Sequence, residues 1–505
     1  MNAPIPGAPA GAPQLSPAEL RAAFFRSFPG VAPAIILSAI DQTIVATALP
    51  DIAADLGAVE SLSWVVVAYL IAATVAAPVF GRLGDVFGRQ PLLLAALAVN
   101  AVGSSLCALA PDFGVLVAGR LLHGFGGGGL ATMAMALIGE AVPPRERGRF
   151  QAYIVAAFTT ASCLGPIAGG WLTQHLGWRS VFWALLPVMV ATVPLARRIP
   201  RRAPPSRGGA GFRFDWPGVL LFAAFVAPAL LALGQVQKAN WGALPLALLL
   251  LAGAAIALFG LLRWEAKAPD ALLHLPLLAD PTVWRANTLT ACAHGALVSL
   301  LTFLPVYLQG VRGLAPTEVG ALLLPLSVGG AVGGLTAGSL MTRLGIAMPF
   351  ACGGLGAAAA VLLAIAALAP VLGDWALAAL LGVAAAGIGC SYPVVQITVQ
   401  VAGGNHRLGA AAASVQFFRT FGAAMATALL GTLLFGTLAL TDATLAALFA
   451  RLVREGSSVL AALEPGVQAA LREALGWSFR AAFLGAATLL ALGSYLAMRV
   501  PLQRL

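Results

Sequence analysis

Apolar runs of about twenty residues, each bounded by charges or Pro/Gly clusters, recur along almost the whole of this chain. A run of that length, wound as an α-helix, matches the hydrocarbon core of a bilayer, and a helix closes its own backbone hydrogen bonds there. The pattern predicts an all-α membrane protein. Six spans fall near 30–50, 62–80, 91–110, 115–138, 151–171 and 180–199, and two more near 216–234 and 243–262. A last set of six follows near 286–308, 319–340, 346–371, 375–398, 409–438 and 477–498, making fourteen in all.

Between the spans, the chain divides into a cytoplasmic disordered tail (1–29), a six-helix bundle (30–199), a Pro/Arg/Gly-rich linker (200–215) and two extra central helices (216–262). A cytoplasmic loop (263–285), a second six-helix bundle (286–498) and a short cytoplasmic tail (499–505) complete it. The second bundle contains a long extracytoplasmic segment, 439–476, whose recurrent apolar positions suit short amphipathic helices. That segment reads either as a contact for a periplasmic adaptor or as a plain connector. An internal echo supports the two-bundle division: GRLGDVFG (81–88) after the second span and GSLMTRLG (338–345) after the second span of the last six.

Composition agrees with this picture. Soluble domains carry about 25% charged residues, whereas this chain of 505 residues has 10%, with 60% hydrophobic. The formal net charge of +10 would suit a polyanion, but the basic residues collect on alternate loops. Arg82, Arg89, Arg145, Arg147, Arg149, Arg201, Arg202, Arg263, Lys267 and Arg285 fall on one side, against isolated Arg179, Lys238 and Arg312 on the other. This bias reports orientation, with both termini cytoplasmic, and speaks against nucleic-acid binding. The N-terminus lacks the basic and apolar regions of a cleaved signal peptide. Cys107, Cys163, Cys292, Cys352 and Cys390 show no CxxC or Cys/His spacing, so neither a disulfide framework nor a metal site is expected.

Four strings then bear a resemblance. GRLGDVFGRQ (81–90) resembles the loop between the second and third helices of the major facilitator superfamily, matching at Gly81, Leu83, Asp85, Gly88 and Arg89. Val86 and Gln90 stand where that family commonly has basic residues. IDQTIVATALP (40–50) is similar to the first-helix motif of its fourteen-span drug:proton antiporters. RLLHGFGGGG (120–129) resembles their fourth-helix motif, with His123 where Gln is usual. LGPIAGG (164–170), with Gly165, Pro166, Gly169 and Gly170, resembles the fifth-helix motif that marks exporters. WALLP (183–187) departs from the pattern, with Leu185 where Asn is common.

The resemblance implies a major facilitator fold in the bacterial inner membrane, two six-helix bundles plus two extra central helices. It implies a monomer that exports small amphiphilic, drug-like compounds by alternating access, with the proton gradient as energy source and no cofactor. An exporter dedicated to one metabolite or self-made toxin is the alternative. An enzyme would need converging nucleophiles, bases or metal ligands, and no HExxH, GxSxG or paired intramembrane acids occur. A sensor would be expected to carry a soluble signalling domain.

An ionisable residue deep in a span costs about 2.5–3.5 kcal/mol on insertion scales, so it faces a cavity or a partner. Asp41 is the one carboxylate placed well inside a span and is the candidate for proton coupling; the alternative is a packing residue bonded to Gln42 or Thr43. Arg120 remains charged and is the candidate counter-ion of Asp41, unless it sits near a helix end and organises water. His123 shares the helical face of Arg120, three residues on, and reads as a proton relay or a single structural hydrogen bond. The glycine run 126–129 has no preceding strand and no Lys-Ser/Thr, so it reads as close helix packing rather than a phosphate loop. Gln42, His123, Gln396, Gln416 and Arg419 are the candidate cavity residues, Arg419 alternatively snorkelling to an interface. Aromatics such as Trp64, Tyr69 and Phe303 could shape an apolar pocket or anchor the interface.

Overall fold

A computed structural model of the protein describes residues 17–56, 63–142, 147–200, 212–237, 241–314, 316–441, 444–445, 448 and 464–502. The side chains of Gln42, Cys163 and Pro166 lie outside the described set. Among the described residues there is no β-strand, and fourteen long helices follow one another. They are α1 (Pro17–Thr43), α2 (Ser63–Phe87), α3 (Arg89–Ala108), α4 (Phe113–Ala141), α5 (Arg147–Leu176) and α6, broken at Ala184 (Arg179–Trp183, Leu185–Arg197). The central pair is α7 (Trp216–Gln237) and α8 (Leu244–Glu265). The last six are α9 (Pro281–Gly310), α10 (Pro316–Leu344), α11 (Met348–Leu368), α12 (Asp374–Gly389, continued as Ser391–Gly403), α13 (Leu408–Thr441) and α14 (Pro465–Arg499).

Among the described residues, twelve of these helices are long and apolar enough to cross a membrane. The protein is therefore a multi-pass membrane protein. Two expected boundaries are corrected. Residues 17–29 are helical rather than a disordered tail, because Phe24 is sealed against Phe28 and Phe150, with ring centroids 4.8 and 4.2 Å away. Helix α14 begins at Pro465, inside the segment expected as a loop to 476, because Leu471 and Leu475 are buried in the second core and carry the helix across Gly476. The remainder of that segment lies mostly outside the described residues.

The first bundle packs around two apolar clusters, one of them reaching Ala412 of α13, and the second bundle around one. They meet along two seams, α2 against α13 and α5 against α10. If α9 to α14 repeat α1 to α6, α13 corresponds to α5 and α10 to α2, so the seams exchange under a pseudo-two-fold. The sequence echo has its structural counterpart: Gly88 (φ 94°) and Gly345 (φ 66°) both turn the chain out of the second helix of their bundle, a conformation that favours glycine. Helices α7 and α8 pair with each other, and α7 lies against both α2 and α13.

Candidate functional site

Where α1 ends, Thr43 returns its hydroxyl to Ala39 O and Ile40 O (3.3 and 3.2 Å), and Thr47 bonds Ile44 O (2.8 Å) around a 3-10 turn over Ile44–Thr47. Such back-bonding competes with the helical ladder. Asp41 sits just before this break and is fully buried. Thr43 is therefore turned away from it, and the alternative of a simple Asp41–Thr43 packing bond is not what forms.

Asp41 is instead met from α3 and α4. Asn100 Nδ2 donates to Asp41 Oδ2 at 3.1 Å and to the backbone O of His123 at 2.9 Å. His123 Nε2 lies 3.2 Å from the same Asp41 oxygen, although it does not aim squarely enough for a well-formed hydrogen bond. Arg120 Nη1 is 3.1 Å from His123 Nδ1, and Arg120 Nε donates to Val65 O at 2.9 Å. A guanidinium can only donate, so Nδ1 accepts and a neutral ring carries its proton on Nε2, facing Asp41. Among the described residues Asp41 Oδ1 has no hydrogen-bond partner.

The expected direct Arg120–Asp41 pair is thus corrected to a relay, with the imidazole between cation and carboxylate. The reason is positional: Arg120 and His123 share a face of α4, and the guanidinium is held back by Val65 O and by the Tyr69 ring, 4.4 Å from its carbon. His123 is fully buried in this cluster and is not a cavity-lining residue. Asn100 and Tyr69 complete the site. Asn100 escaped sequence reading because it is neutral; its only signal was a lone amide within the apolar run of α3.

Glycines permit this closeness. A methyl on Gly103 would lie 2.5 Å from His123 Cα, one on Gly126 2.5 Å from Asn100 Cα, and one on Gly127 would strike the Tyr69 hydroxyl. On α5, a methyl at Gly169 would meet Ile44 O and Thr47 Oγ1 at 2.5 Å, and one at Gly165 would strike Thr43 Oγ1. The α5 motif therefore cradles the broken end of α1. Gly170, expected to share in that face, has no neighbour within 4 Å.

The 81–90 segment, expected as a loop, is helical on either side of Gly88, and it ties the bundles together. Asp85 accepts from Gly409 N (2.9 Å) and Ala410 N (3.0 Å), capping the N-terminus of α13 across the seam. Arg89 bonds Asp85 at 2.8 Å and Glu140 at 2.9 Å. A methyl on Gly81 would lie 2.7 Å from Gly409 O. Gln90, standing where a basic residue is usual, donates to Ala196 O and Arg197 O (3.2 and 3.3 Å) at the end of α6. A further link crosses the seam from Gln400 Nε2 to Met135 O at 3.1 Å.

The expected cavity residues do not converge. Gln396 is 1% exposed with its Nε2 unpartnered, Arg419 is buried with its guanidinium 5.4 Å from the Tyr392 ring, and Gln416 is partly exposed. A cavity of about 780 Å³ lies elsewhere, between α7, α8, α9 and α13, and none of them lines it.

Comparison with known proteins places this geometry. The Major Facilitator Superfamily model matches residues 31–427. An uncharacterised MFS-type transporter of Mycobacterium tuberculosis is 36% identical over 432 residues, 84% of this chain and 61% of its own length. The chain thus spans less than two thirds of that relative. The multidrug transporter protein MdtP of Bacillus subtilis is 30% identical over 413 residues, covering 80% of this chain and 74% of that one. Among solved structures, the human organic anion transporter MFSD10 superposes with a TM-score of 0.62 at 14% identity, covering 94% of this chain and 99% of the other. With a family match across most of its length and the same helical fold, the chain belongs to the Major Facilitator Superfamily.

Proposed function

We propose that the protein is a proton-coupled antiporter that exports small amphiphilic compounds across the bacterial inner membrane by alternating access. The observation that carries this reading is the fully buried relay Arg120–His123–Asp41, with Asp41 Oδ1 bare at the break of α1. A permanently charged guanidinium buried one imidazole away from a carboxylate is tolerated because the cluster is neutral in sum. Protonating Asp41 at Oδ1 leaves the Arg120 charge uncompensated, and breaking a buried pair costs about 3–5 kcal/mol. That is enough to shift the balance between two bundle arrangements by orders of magnitude. Proton binding and the state of the transporter are linked through this one site.

Export of drug-like molecules is supported by the cradle that Gly165 and Gly169 form for the α1 break, and by the similarity to a protein named as a multidrug transporter. In this reading all fourteen helices cross the bilayer, and both termini face the cytoplasm. The transporter works as a monomer in contact with membrane lipid, with the proton gradient as its energy source.

The test is dye transport in proteoliposomes under an imposed pH gradient, with ethidium and Hoechst 33342 as probes. Asp41→Asn should remove gradient-driven accumulation while dye binding persists. Undiminished accumulation by Asp41→Asn rejects Asp41 as the coupling group.

A further inference from the structure

The cavity between the extra helices and the second bundle is not part of the Asp41 site, and its shape and rim point to an occupant. Phe222 and Phe225 of α7 face Phe417 and Phe421 of α13, with ring centroids 5.4 and 5.5 Å apart, forming one wall. Along α13 the lining runs from Ala410 to Thr432. At 1.5 Å per residue that is about 33 Å, the depth of a bilayer core. Met425 and Leu429 line it and are 51% and 50% exposed, so the cavity is a groove open to the side, where the surrounding solvent is lipid.

One end of the groove differs from the rest. His274 lines that end, where Arg407 shortly precedes the lining residue Ala410 and Arg82 adjoins Gly81, which packs on Gly409. Burial, with the guanidinium groups of Arg407 and Arg82 nearby, holds the His274 imidazole below its ordinary value of 6.5, so the ring itself resists becoming a third cation. Arg407 is exposed on the 3-10 turn Asn405–Arg407. Arg82 pairs with Asp270 at 3.1 Å through one terminal nitrogen, while its buried Nε has no partner. The nearby acids are engaged with the loop that forms the groove floor. Asp215 accepts from Leu272 N (3.2 Å) and Trp264 Nε1 (2.8 Å), and Glu265 accepts from Leu273 N (3.0 Å).

An apolar trough as deep as a bilayer, ending in guanidinium groups at the level where lipid headgroups lie, complements one chemistry. We propose that the groove is a site for an anionic phospholipid, its acyl chain along α13 beside the phenylalanine wall and its phosphate at Arg407 and Arg82. The extra helices α7 and α8 thereby hold a lipid against the α2–α13 seam. Headgroup selectivity separates such a site from ordinary bilayer contact, because hydrocarbon alone does not distinguish lipids that differ only in charge.

The experiment is native mass spectrometry of the full chain released from micelles containing equal phosphatidylglycerol and phosphatidylcholine of the same chain lengths. Wild type should retain phosphatidylglycerol preferentially. Arg407→Ala should lower that preference about fivefold, the effect of one surface cation on an anionic lipid. Leu429→Trp, which fills open groove space, should reduce retention of both lipids. Size-exclusion profiles identical to wild type would show that these two variants fold, as expected for exposed positions. Equal retention of the two lipids by wild type overturns the proposal, as does an unchanged preference in Arg407→Ala. Displacement of bound phosphatidylglycerol by Hoechst 33342 at the concentrations that saturate its transport would also overturn it, by making the groove a substrate path.

Discussion

A single methyl group on α4 should uncouple the transporter without touching an ionisable residue. Gly126 faces the backbone of α3 at Asn100, and a β-carbon there would lie 2.5 Å from Asn100 Cα. Carbon atoms rest about 3.5–4.0 Å apart, so Gly126→Ala forces α3 and α4 about 1 Å further apart. Overpacking of this kind costs about 1–3 kcal/mol of stability. The functional effect is larger, because Asn100 holds both Asp41 Oδ2 (3.1 Å) and the His123 carbonyl (2.9 Å). An added ångström takes either bond past the range in which an N–H···O contact is worth anything, and misplacements of that size commonly cost about 100-fold in rate. Gradient-driven dye flux in proteoliposomes should therefore fall at least tenfold by this reasoning, while the thermal midpoint in detergent falls by only a few degrees. Gly170→Ala, whose methyl meets nothing within 4 Å, is the matched control and should be silent. Wild-type flux in Gly126→Ala would refute the claim that the α3–α4 contact sets the geometry of the relay.

The histidine gives a second prediction. His123→Gln can still accept from Arg120 and donate to Asp41, so transport should persist with an altered pH profile, whereas His123→Ala breaks the link between Arg120 and Asp41 and should abolish coupling. Equal loss in both variants, measured as dye flux against pH, would show that the imidazole itself is indispensable. The third prediction concerns the opposite end of the first bundle. There hydrogen bonds from Arg179 and Trp178, at 2.6 and 3.0 Å, hold the Asp55 carboxyl below its ordinary value of 3.8. A lowered carboxyl contributes stability that is present above its unfolded value and lost as the pH falls through the folded one. The gap in thermal midpoint between wild type and Asp55→Asn should hold from neutral pH down to about 3.8 and close below it, and a gap unchanged in stronger acid would contradict this. The effect is small, since both partners of the ion pair are well exposed.

What was legible in the sequence depended on how local the cause was. Span positions follow from apolar length alone, and Asp41 and Arg120 stand out because a charge in an apolar run demands a reason. The order of the relay was not legible: the i, i+3 spacing puts His123 beside Arg120, but which of them reaches Asp41 depends on how α4 is rotated against α1. That rotation is set by glycines whose neighbours are on other helices. Asn100 was missed because an amide in an apolar run costs little enough to pass as filler. The helical start at Pro17 was hidden because Phe24 finds its partner Phe150 more than a hundred residues later. The groove under α7 and α8 could not be read at all, since the helices that wall it come from three separate parts of the chain.

The two seams are alike in position but not in fastening. Asp85 bolts the last turn of α2 to the first turn of α13, whereas the residue that corresponds to it in the echo, Thr342, spends its hydroxyl on Gly338 O within its own helix. Among the described residues, this charged latch occurs on the α2–α13 edge of a pseudo-symmetric pair of bundles. When the bundles part at that face, the α2–α13 edge must first release charge-assisted bonds, like a door that has to be unlocked before it swings. The lock and the proton site belong to the same bundle, joined through α4, which carries His123 midway and Glu140, the second partner of Arg89, near its end.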